Sequence, residues 1–432
     1  MDLSKIKKAY FIGIKGVGMT ALAQILQGRG INVLGSDTKE KFFTDQVLER
    51  LKIRVIEGFD KKNIPLDVDL VIVSAAYLSP GVKNPEVDQV KKKSLPLLTY
   101  AQILGQLFQK KYGLAVAGTH GKSTITAMLG MVLEEAGFDP TVIVGTRVIQ
   151  WQSNARIGHS RYLVAEADEY RNNFLHYSPQ VLVLTSLEYD HPDFFKDFQE
   201  YQKTFQRLVQ KIPASGFIVA NGQDNYVKEV VKKAKCRIVE YFPDRLKIKL
   251  KVPGQHNLWN ASAAMTTALE LGIKAETIKK SLTDFQGTSR RFEIKGQSKG
   301  ILLIDDYAHH PTEIQVTLQA AKELYPQKKI WAVFQPHTFS RTEALLKDFA
   351  SAFKQADQVI ILDICGSARE KSGQVHARDL VREIRKYKKG KVRYIPTIKE
   401  TAEYLKKQAQ AGQVVLTMGA GDVWKLSESL IQ

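Results

Sequence analysis

The sequence predicts an α/β protein of several domains, each built on a mostly parallel β-sheet. Short apolar runs alternate with helical patterns along the whole chain, as in strands that are joined by crossover helices. The chain has 432 residues, whereas a single hydrophobic core rarely grows beyond about 250 residues. Hydrophobic residues make up 44% of the chain and charged residues 25%, a composition that is typical of globular domains and not of disordered segments.

Three blocks of alternating strand and helix patterns divide the chain. The strands predicted in the first block, residues 1–107, are Ala9 to Ile14, Val33 to Gly35, Leu70 to Ser74 and Leu97 to Leu98. Those of the second block, residues 108–291, are Gly113 to Ala117, Tyr162 to Ala165, Val181 to Thr185 and Phe217 to Ala220. Those of the third block, residues 292–432, are Ile301 to Asp305, Ile330 to Phe334, Gln358 to Leu362 and Val414 to Met418. No repeat of fixed period is present, so we expect three α/β domains and not a solenoid.

Cysteine content, hydropathy and charge limit the class of protein. The two cysteines, Cys236 and Cys365, are too few for a disulfide framework or a structural zinc site. No stretch of the sequence approaches the ~20 apolar residues of a membrane helix, and we therefore expect a cytoplasmic protein without a membrane span. The formal net charge of +18 is compatible with nucleic acid, an anionic membrane or phosphorylated small molecules as partners. Charge alone does not distinguish among these partners.

The first strand of the second block runs into a glycine-rich turn that is typical of a phosphate loop. A helical pattern follows the turn directly and continues to Glu135. Glycines let backbone N–H groups face phosphate oxygens, Lys122 can reach the β- and γ-phosphates, and the Ser123 hydroxyl can ligate Mg²⁺. Val116 stands where the common pattern has its first glycine, but the Gly-Lys-Ser core is correctly placed. We predict that ATP or GTP binds the turn formed by Gly118, Thr119, His120, Gly121, Lys122, Ser123 and Thr124.

Acidic segments follow two further strands of the same block. Glu166-Ala167-Asp168-Glu169 comes after the strand that ends at Ala165, and Asp190-His191 follows the strand that ends at Thr185. Mg²⁺ prefers oxygen ligands, and a strand next to the phosphate loop is a suitable source of a carboxylate. Turn formation is the alternative explanation for the acidic residues. His191 is either a ligand of a second metal ion or a turn residue.

Together with four later motifs, these segments give the chain a resemblance to the Mur ligases of peptidoglycan synthesis over nearly its whole length. The motifs that carry the resemblance are Gly118 to Thr124, Glu166 to Glu169, Asp190-His191, Gly254 to Ala261, Gly287 to Glu293, Asp305 to Glu313 and Phe334 to Thr342. The resemblance implies a Rossmann-like domain that binds a UDP-linked substrate (residues 1–107). It also implies a central phosphate-loop ATPase domain with a mostly parallel sheet (108–291) and a Rossmann-like domain that binds an amino acid (292–432).

The resemblance also implies a reaction. The segment Phe334 to Thr342 is most similar to that of family members that join L-alanine to UDP-N-acetylmuramate, with ATP and Mg²⁺, through an acyl phosphate. The nearest alternative is a recycling ligase that joins a murein tripeptide to the same substrate. A more distant one is a nucleotide-regulated protein that binds nucleic acid, which the net charge suggests. That alternative does not explain the histidines and arginines of the third block. We therefore expect no nucleic-acid partner.

Site residues follow from the resemblance. Ser123 and Glu166 would ligate magnesium and His191 a second magnesium ion, while His256 and Asn260 would contact adenine. Helix capping is the alternative explanation for His256 and Asn260. Asp305 or Asp306 would hold the ATP ribose. The catalytic residues implied are Lys122, His191, Arg290 or Arg291, His309 and Arg341.

The resemblance places the site for the incoming amino acid in the third block. The residues implied there are Tyr307, His309, His337 and Arg341. The planar guanidinium of Arg341 suits a carboxylate, because it can bind both oxygens. His309, His310 and His337 are the candidate bases for the proton that the amine must lose. For each of them, an ordinary structural histidine is the alternative explanation.

The first block carries a weak dinucleotide-binding pattern, with Gly13, Gly16 and Gly18 after the first strand and Asp37 after the second. In a dehydrogenase this pattern would bind NAD. The resemblance implies instead that it holds the UDP diphosphate, with Ser74 and Ala75 on the same crevice. The chain departs from the family pattern at two positions. Lys15 replaces a glycine, which we expect to alter how the phosphates are held, and Ser186 replaces an asparagine.

Overall fold

A computed structural model describes residues 3–79, 81–243, 248–366, 370, 372–388 and 391–431. It contains three β-sheets, mostly parallel and interleaved with helices, which confirms the predicted fold class. The chain forms two compact units. One comprises Met1–Leu187, Gln202–Arg245 and Ala261–Asp284, and the other Glu188–Tyr201, Leu246–Asn260 and Phe285–Gln432. The boundaries of the three domains stay a prediction. Among the described residues, no helix combines the length and the apolar character that crossing a bilayer requires.

The first sheet is parallel throughout and has the strand order β3-β2-β1-β4-β5. Its strands are β1 (Lys8–Ile12), β2 (Asn32–Asp37), β3 (Arg54–Glu57), β4 (Leu70–Val73) and β5 (Leu97–Thr99). The helices around it are α1 (Val17–Gly28), α2 (Phe43–Arg50), α3 (Pro85–Lys92) and α4 (Tyr100–Lys110). The chain leaves β1 toward β2 on one side and later returns to β4 on the other. This reversal opens a crevice at the carboxyl ends of β1 and β4, where ligands bind in open parallel sheets.

The second sheet has the order β12-β11-β10-β6-β9-β7-β8, and only β8 runs antiparallel to its neighbour. Its strands are β6 (Tyr112–Ala117), β7 (Thr141–Val148), β8 (Ser153–Arg156), β9 (Tyr162–Glu166), β10 (Val181–Leu184), β11 (Phe217–Asn221) and β12 (Arg237–Tyr241). The helices in this part of the chain are α5 (Lys122–Glu135), α6 (Phe198–Val209), α7 (Asn225–Val231), α8 (Gln255–Glu270) and α9 (Ala275–Asp284). Because β6 lies between β9 and β10, the phosphate loop that follows β6 lies beside the ends of both neighbours.

The third sheet has the order β13-β14-β18-β15-β16-β17, with β13 antiparallel to β14 and all other pairs parallel. Its strands are β13 (Glu293–Ser298), β14 (Ile301–Asp306), β15 (Ile330–Phe334), β16 (Gln358–Ile361), β17 (Val392–Tyr394) and β18 (Val414–Met418). The helices are α10 (Pro311–Leu324), α11 (Phe339–Ala344), α12 (Leu346–Ala352), α13 (Ala377–Tyr387), α14 (Ile398–Gln408) and α15 (Trp424–Ile431). Separate hydrophobic cores cover its two faces, one around Phe334 and Phe349 and the other around Trp331 and Leu426.

Each strand predicted from an apolar run is present, with ends displaced by at most two residues. The structure adds β3, β7, β8, β12, β13 and β17, which the apolar runs did not indicate. Helix α8, for which capping was the alternative explanation of His256 and Asn260, begins at Gln255. Asn257 and Asn260 therefore lie inside its first turns and not at its cap.

Candidate active site

The phosphate loop owes its shape to two glycines with positive φ. Gly118 has a φ of +127°, and a Cβ atom at this position would lie 2.1 Å from Oγ1 of Thr185. Gly121, with a φ of +82°, immediately precedes α5, and no side chain caps that helix. Gly118 thus takes the place of the glycine that is missing at Val116. The uncapped N-terminus of α5 offers backbone N–H groups and a positive helix end to a phosphate.

The segment that follows β10 stabilises the phosphate loop by hydrogen bonds. The backbone N–H of Thr119 donates to the carbonyl of Ser186 at 2.8 Å, and that of His120 donates to Oγ of Ser186 at 3.3 Å. Oγ1 of Thr185 donates to the carbonyl of His120 at 2.7 Å. Ser186, one of the two departures from the family pattern, therefore supports the loop through both its main chain and its side chain.

Lys122 is held by anionic and carbonyl oxygens. Its Nζ donates to the carbonyls of Gly118 and Thr119 at 2.5 and 3.2 Å, and it forms an ion pair with Oε2 of Glu169 at 3.2 Å. Burial disfavours the charged form of Lys122, but Glu169 and the neighbouring Asp168 outweigh burial and raise the pKa of the lysine. Lys122 is thus kept protonated at the position where a triphosphate is expected.

The predicted magnesium ligands are a carboxylate at the end of β9 and a hydroxyl at the start of α5. Glu166 ends β9 and is the register partner of Val116 in β6, the strand that leads into the loop. The backbone N–H of Gly145 donates to Oε1 of Glu166. Ser123 lies in the first turn of α5, which the same loop opens. Ser123 and Glu166 thus follow or end two neighbouring strands, and both offer oxygen atoms of the type that Mg²⁺ prefers. Their role as magnesium ligands stays a prediction.

The glycine turn of the first block lies in the crevice at the carboxyl ends of β1 and β4. Gly13 has a φ of +85°, and a Cβ atom there would lie 2.6 Å from the ring of Tyr77 and 3.0 Å from Cβ of Ser74. Gly16 immediately precedes α1, which no side chain caps, and Gly18 lies in its first turn. Ala75 begins the short 3₁₀ helix that follows Ser74. Gly13, Gly16 and Gly18 thus lie at an uncapped helix end, with Ser74 against Gly13 and Ala75 next to Ser74 in the chain.

Asp37 faces the glycine turn. Its carboxylate accepts hydrogen bonds from the backbone N–H groups of Lys15 and Thr38, both at 2.7 Å. Burial raises the pKa of Asp37, although these hydrogen bonds oppose the shift. Asp37 therefore supports the turn directly, and any contact with a ribose would use the same carboxylate.

The side chain of Lys15 is buried and does not project from the glycine turn. Its Nζ donates to the carbonyls of Thr38 and Glu40, both at 2.9 Å, and pairs with Asp45 at 3.0 Å. These partners engage the ammonium group within the protein, and an effect of Lys15 on how the phosphates are held stays a prediction. Through these contacts, Lys15 joins the glycine turn to the connection between β2 and α2.

Arg341, in the second compact unit, is buried against Asp190. Its Nε donates to Oδ1 of Asp190 at 2.8 Å, and its Nη1 donates to the carbonyl of His337 at 2.7 Å. Burial disfavours the ionised form of Asp190, but Arg341, together with His191 and His309, outweighs burial and holds the pKa of Asp190 well below its usual range. Within the described part of the chain, Nη2 of Arg341 makes no hydrogen bond. An incoming carboxylate would therefore hydrogen-bond to Nη2. The sequence had led us to expect that two nitrogens of the guanidinium would be available to bind both carboxylate oxygens.

The predicted histidines near Arg341 differ in their surroundings. Burial lowers the pKa of His309 to about 3 and that of His337 to about 4. His309 lies against Glu313, with Nδ1 3.3 Å from the carboxylate, whereas His310 caps α10. His191 has a positive φ and its Nε2 lies 3.7 Å from Asp190. The neutral rings of His309 and His337 can hydrogen-bond to an amine but are weak bases.

Arg290 and Arg291 both lie near the Tyr307 ring, with guanidinium carbons 5.0 and 5.3 Å from its centroid. Arg290 donates to Asp305 at 2.9 Å and to the carbonyls of Gly419 and Gly421. Arg291 forms an ion pair with Glu313 at 3.7 Å, so both arginines have partners and the choice between them as the phosphate contact stays a prediction. The Asp305 carboxylate also accepts a hydrogen bond from Thr417 at 2.7 Å. Both of its oxygens are thus occupied, and its predicted contact with ribose stays a prediction.

His256 and Asn260 lie in the first turns of α8. Nδ1 of His256 is buried and has no hydrogen-bond partner among the described residues, and burial lowers the pKa of His256 to about 4. Nδ2 of Asn260 donates to Oδ1 of Asn257 at 3.0 Å, and Asn257 donates in turn to the carbonyl of Pro253 at 2.6 Å. A buried polar atom without a partner usually marks a missing ligand or water, which fits the predicted contact of His256 with adenine.

Comparisons with known proteins agree along the whole chain. Three Mur ligase models match: the family's catalytic domain over residues 8–112, its middle domain over 116–244 and its glutamate ligase domain over 290–421. The UDP-N-acetylmuramate–L-alanine ligase of Desulfitobacterium hafniense is 41% identical over 450 residues, which cover 98% of this chain and 99% of the relative.

Solved structures show the same likeness. The UDP-N-acetylmuramate–alanine ligase of Thermotoga maritima is 27% identical, with a TM-score of 0.81 and coverage of 98% of both chains. A murein peptide ligase of Psychrobacter arcticus is 23% identical, with a TM-score of 0.75 over 98% of both chains. At that lower identity the second likeness concerns the fold alone.

Proposed function

Since this chain belongs to the Mur ligase family, we propose that it joins the carboxylate of UDP-N-acetylmuramate to the amino group of L-alanine. It is an ATP-dependent ligase, and its products are UDP-N-acetylmuramoyl-L-alanine, ADP and phosphate. The observation that carries the proposal is the 41% identity to an L-alanine ligase over the full length of both chains. The intact phosphate loop supports it. The reaction takes place in peptidoglycan synthesis and needs ATP, and we place the enzyme in the cytoplasm.

The chemistry requires two steps, because a carboxylate is negatively charged and its oxygen is a poor leaving group. In the first step a carboxylate oxygen attacks the γ-phosphorus of ATP, and ADP leaves. In the second step the neutral amine of L-alanine attacks the acyl carbon, inorganic phosphate leaves, and the nitrogen loses its proton. Phosphoryl transfer depends mainly on positioning and charge neutralisation.

The residues around the phosphate loop provide that neutralisation. Lys122 is kept protonated and the start of α5 is uncapped. Ser123 and Glu166 would hold Mg²⁺, which neutralises phosphate charge when bound, and His191 would hold a second ion. Thr119, His120 and Thr124 shape the loop around the phosphates. His256 and Asn260 would contact the adenine.

The other two substrates would use the sites described above. Gly13, Gly16, Gly18, Ser74 and Ala75 would receive the UDP diphosphate at the carboxyl ends of β1 and β4. The L-alanine carboxylate would bind Nη2 of Arg341, with Tyr307, His309 and His337 nearby. Because the pKa of His309 is lowered to about 3, this ring orients the amine by hydrogen bonding instead of acting as a strong base.

The proposal is tested by measuring phosphate release from ATP with UDP-N-acetylmuramate in magnesium buffer. The assay is run with L-alanine, with the tripeptide L-alanyl-γ-D-glutamyl-diaminopimelate, and with neither acceptor. We expect turnover that requires L-alanine, and loss of turnover in Lys122→Ala. Turnover with the tripeptide alone would instead assign a recycling reaction. ATP binding without turnover on either acceptor would overturn the proposed reaction.

A further inference from the structure

The hairpin formed by β7 and β8 contacts the parts of the first unit to which two different substrates are assigned. The hairpin belongs to the second sheet, whereas the UDP turn opens a helix of the first sheet. None of the predicted site residues lies on it. Its contacts nevertheless reach α1, α5 and Glu166.

Buried hydrogen bonds between polar side chains join the hairpin to α1. Nε2 of Gln24 donates to Oδ1 of Asn154 at 2.9 Å, and Oγ of Ser153 donates to Oε1 of Gln24 at 2.8 Å. Nδ2 of Asn154 donates to the carbonyl of Val17 at 2.6 Å. Gln24, Ser153 and Asn154 are at most 4% exposed. Val17 is the first residue of α1, directly after Gly16, so the network fixes the end of the helix that carries the UDP turn.

The same hairpin packs on α5, the helix that the phosphate loop opens. Nε1 of Trp151, in the connection between β7 and β8, donates to Glu134 at 2.9 Å. A Cβ atom on Gly130 would lie 2.8 Å from the Trp151 ring and 2.9 Å from Val142. The glycine therefore allows helix and hairpin to approach closely, which limits their relative movement.

The third contact of the hairpin is with the predicted magnesium ligand. Pairing of β7 with β8 is irregular between Ile143 and Val148. In this stretch the N–H of Gly145 donates to Glu166, and a Cβ atom on Gly145 would lie 2.8 Å from the carboxylate. A side chain at this position would displace the Glu166 carboxylate from where it now lies.

We propose that the β7–β8 hairpin sets the distance between the UDP-linked substrate and the γ-phosphate of ATP, and that Gln24 and Asn154 are its positioning residues. The proposal rests on the proposed function. Attack on the γ-phosphorus requires the carboxylate oxygen within about 3.5 Å and in line, and a misplacement of about 1 Å costs roughly 100-fold in rate. Loosening the network should therefore lower kcat while each substrate still binds.

The test uses Gln24→Met, which keeps the length of the side chain but removes its amide, together with Asn154→Ala and the double variant. We expect kcat for L-alanine-dependent phosphate release to fall about 10- to 100-fold in each single variant. We expect the double variant to be no slower than the worse single one, because both changes break one network. Calorimetric affinities for UDP-N-acetylmuramate alone and for ADP alone should remain those of the wild type.

Thr141→Val is the matched control. Thr141 is buried in the same hairpin, but its hydroxyl bonds the carbonyl of Gly158 at 2.9 Å and not α1. We expect this variant to melt at a lower temperature and to keep its kcat. If Asn154→Ala does not fold, Gln24→Met decides the question, with its melting temperature as the check of folding.

The outcomes separate this proposal from the proposed function. Wild-type protein without L-alanine-dependent turnover would overturn the function and this proposal with it. An active wild type whose kcat is retained in Gln24→Met and Asn154→Ala would overturn the positioning role alone. So would a kcat loss that the Thr141→Val control shares, or one that a weaker affinity for UDP-N-acetylmuramate explains.

Discussion

At the scale of single residues, Lys122 shows how protein groups keep a lysine protonated before the nucleotide binds. Its Nζ lies against the buried carboxylate of Glu169, which is 1% exposed, and against two loop carbonyls. A phosphate can replace this carboxylate as the partner of the lysine. Glu169 therefore stabilises the nucleotide-free protein and competes with the nucleotide for the same charge.

This competition predicts the behaviour of Glu169→Gln. Removing one partner of a buried ion pair destabilises a protein by about 3–5 kcal/mol, so the variant should melt at a lower temperature than the wild type. Bound ADP would return an anionic partner to Lys122, and the increase in melting temperature upon ADP addition should be larger in the variant. Thermal melts with and without ADP measure both effects.

Glu229→Gln is a suitable control for this experiment, because Glu229 pairs with Lys232 on the surface, where both side chains are more than half exposed. Exposed ion pairs contribute little, and we expect no change in either melting temperature. An equal shift upon ADP addition in the wild type and in Glu169→Gln would contradict the competition.

Buried histidines give the second compact unit a defined response to acid. Burial lowers the pKa of His256 and His337 to about 4 and that of His309 to about 3. Below the ordinary value of 6.5 the unfolded chain takes up protons that the folded state excludes. Stability is therefore complete above about pH 6.5 and falls as the pH decreases toward 4, by up to about 1.4 kcal/mol per pH unit for each histidine. Asp306, whose pKa is raised to about 6, and Asp305, whose pKa burial also raises, oppose this loss. Asp190, whose pKa is held well below its usual range, adds to the loss at low pH.

His309→Gln should reduce the dependence of the unfolding free energy on pH, because unfolding of the variant takes up one proton fewer at acidic pH. The measurement is the free energy of unfolding by urea at several values between about pH 7.5 and 4.5. His159→Gln serves as the control, since the side chain of His159 is 87% exposed. A pH dependence that is the same in His309→Gln and the wild type would contradict the assignment of His309 as a buried neutral ring.

The site was predictable from the sequence where its residues are contiguous. The phosphate loop follows from one strand, one turn and one helix, so its residues could be named without knowledge of the sheet order. The partners of its charged groups could not. Glu169 is 47 residues from Lys122, and Asp190 is 151 residues from Arg341, so these pairs depend on how distant segments come together. The acidic segments that contain Glu169 and Asp190 were the available signals.

At the scale of secondary-structure elements, the connection between β2 and α2 is held by a side chain from another element. Lys15 reaches the carbonyls of Thr38 and Glu40, and Oγ1 of Thr44 donates back to the carbonyl of Lys15 at 2.6 Å. Asp45 in α2 supplies the countercharge. A turn that elsewhere in the family uses glycine is here joined to its neighbour by these polar contacts.

Lys15→Met tests this connection. The substitution leaves the Asp45 carboxylate, 12% exposed, without its buried partner, and we expect a loss of about 3 kcal/mol in the free energy of unfolding. Lys41 also lies near Asp45, at 4.0 Å, but is 71% exposed. Lys41→Met should therefore change the urea midpoint very little. Equal effects of the two substitutions would show that Lys15 has no special structural role.

The strands that the sequence did not indicate share a position in the fold. β3, β8, β12, β13 and β17 lie at the edges of their sheets, and β7 is next to an edge. Central parallel strands are covered on both faces and therefore appear as continuous apolar runs. Edge strands such as β12, with three exposed residues of five, carry polar side chains and resemble loops. Apolar runs thus predict the centres of the sheets better than their edges.

At the scale of the whole molecule, the predicted substrate residues follow the carboxyl ends of parallel strands. The UDP turn follows β1, the phosphate loop follows β6, and Asp305, Asp306 and Tyr307 end or follow β14. The net charge of +18 suits a protein whose proposed substrates include two anionic nucleotides, because a positive field raises the rate at which anions are captured. The charge that first suggested nucleic acid thus has an explanation in small substrates.

The central claim is ligation to L-alanine through an acyl phosphate, and isotope transfer tests it most directly. UDP-N-acetylmuramate labelled with heavy oxygen in its carboxylate is incubated with ATP, Mg²⁺ and L-alanine, and the products are analysed by mass spectrometry. We expect UDP-N-acetylmuramoyl-L-alanine together with inorganic phosphate that carries one heavy oxygen from the carboxylate. Unlabelled phosphate would contradict the acyl phosphate, and the absence of the L-alanine adduct would contradict the proposed function.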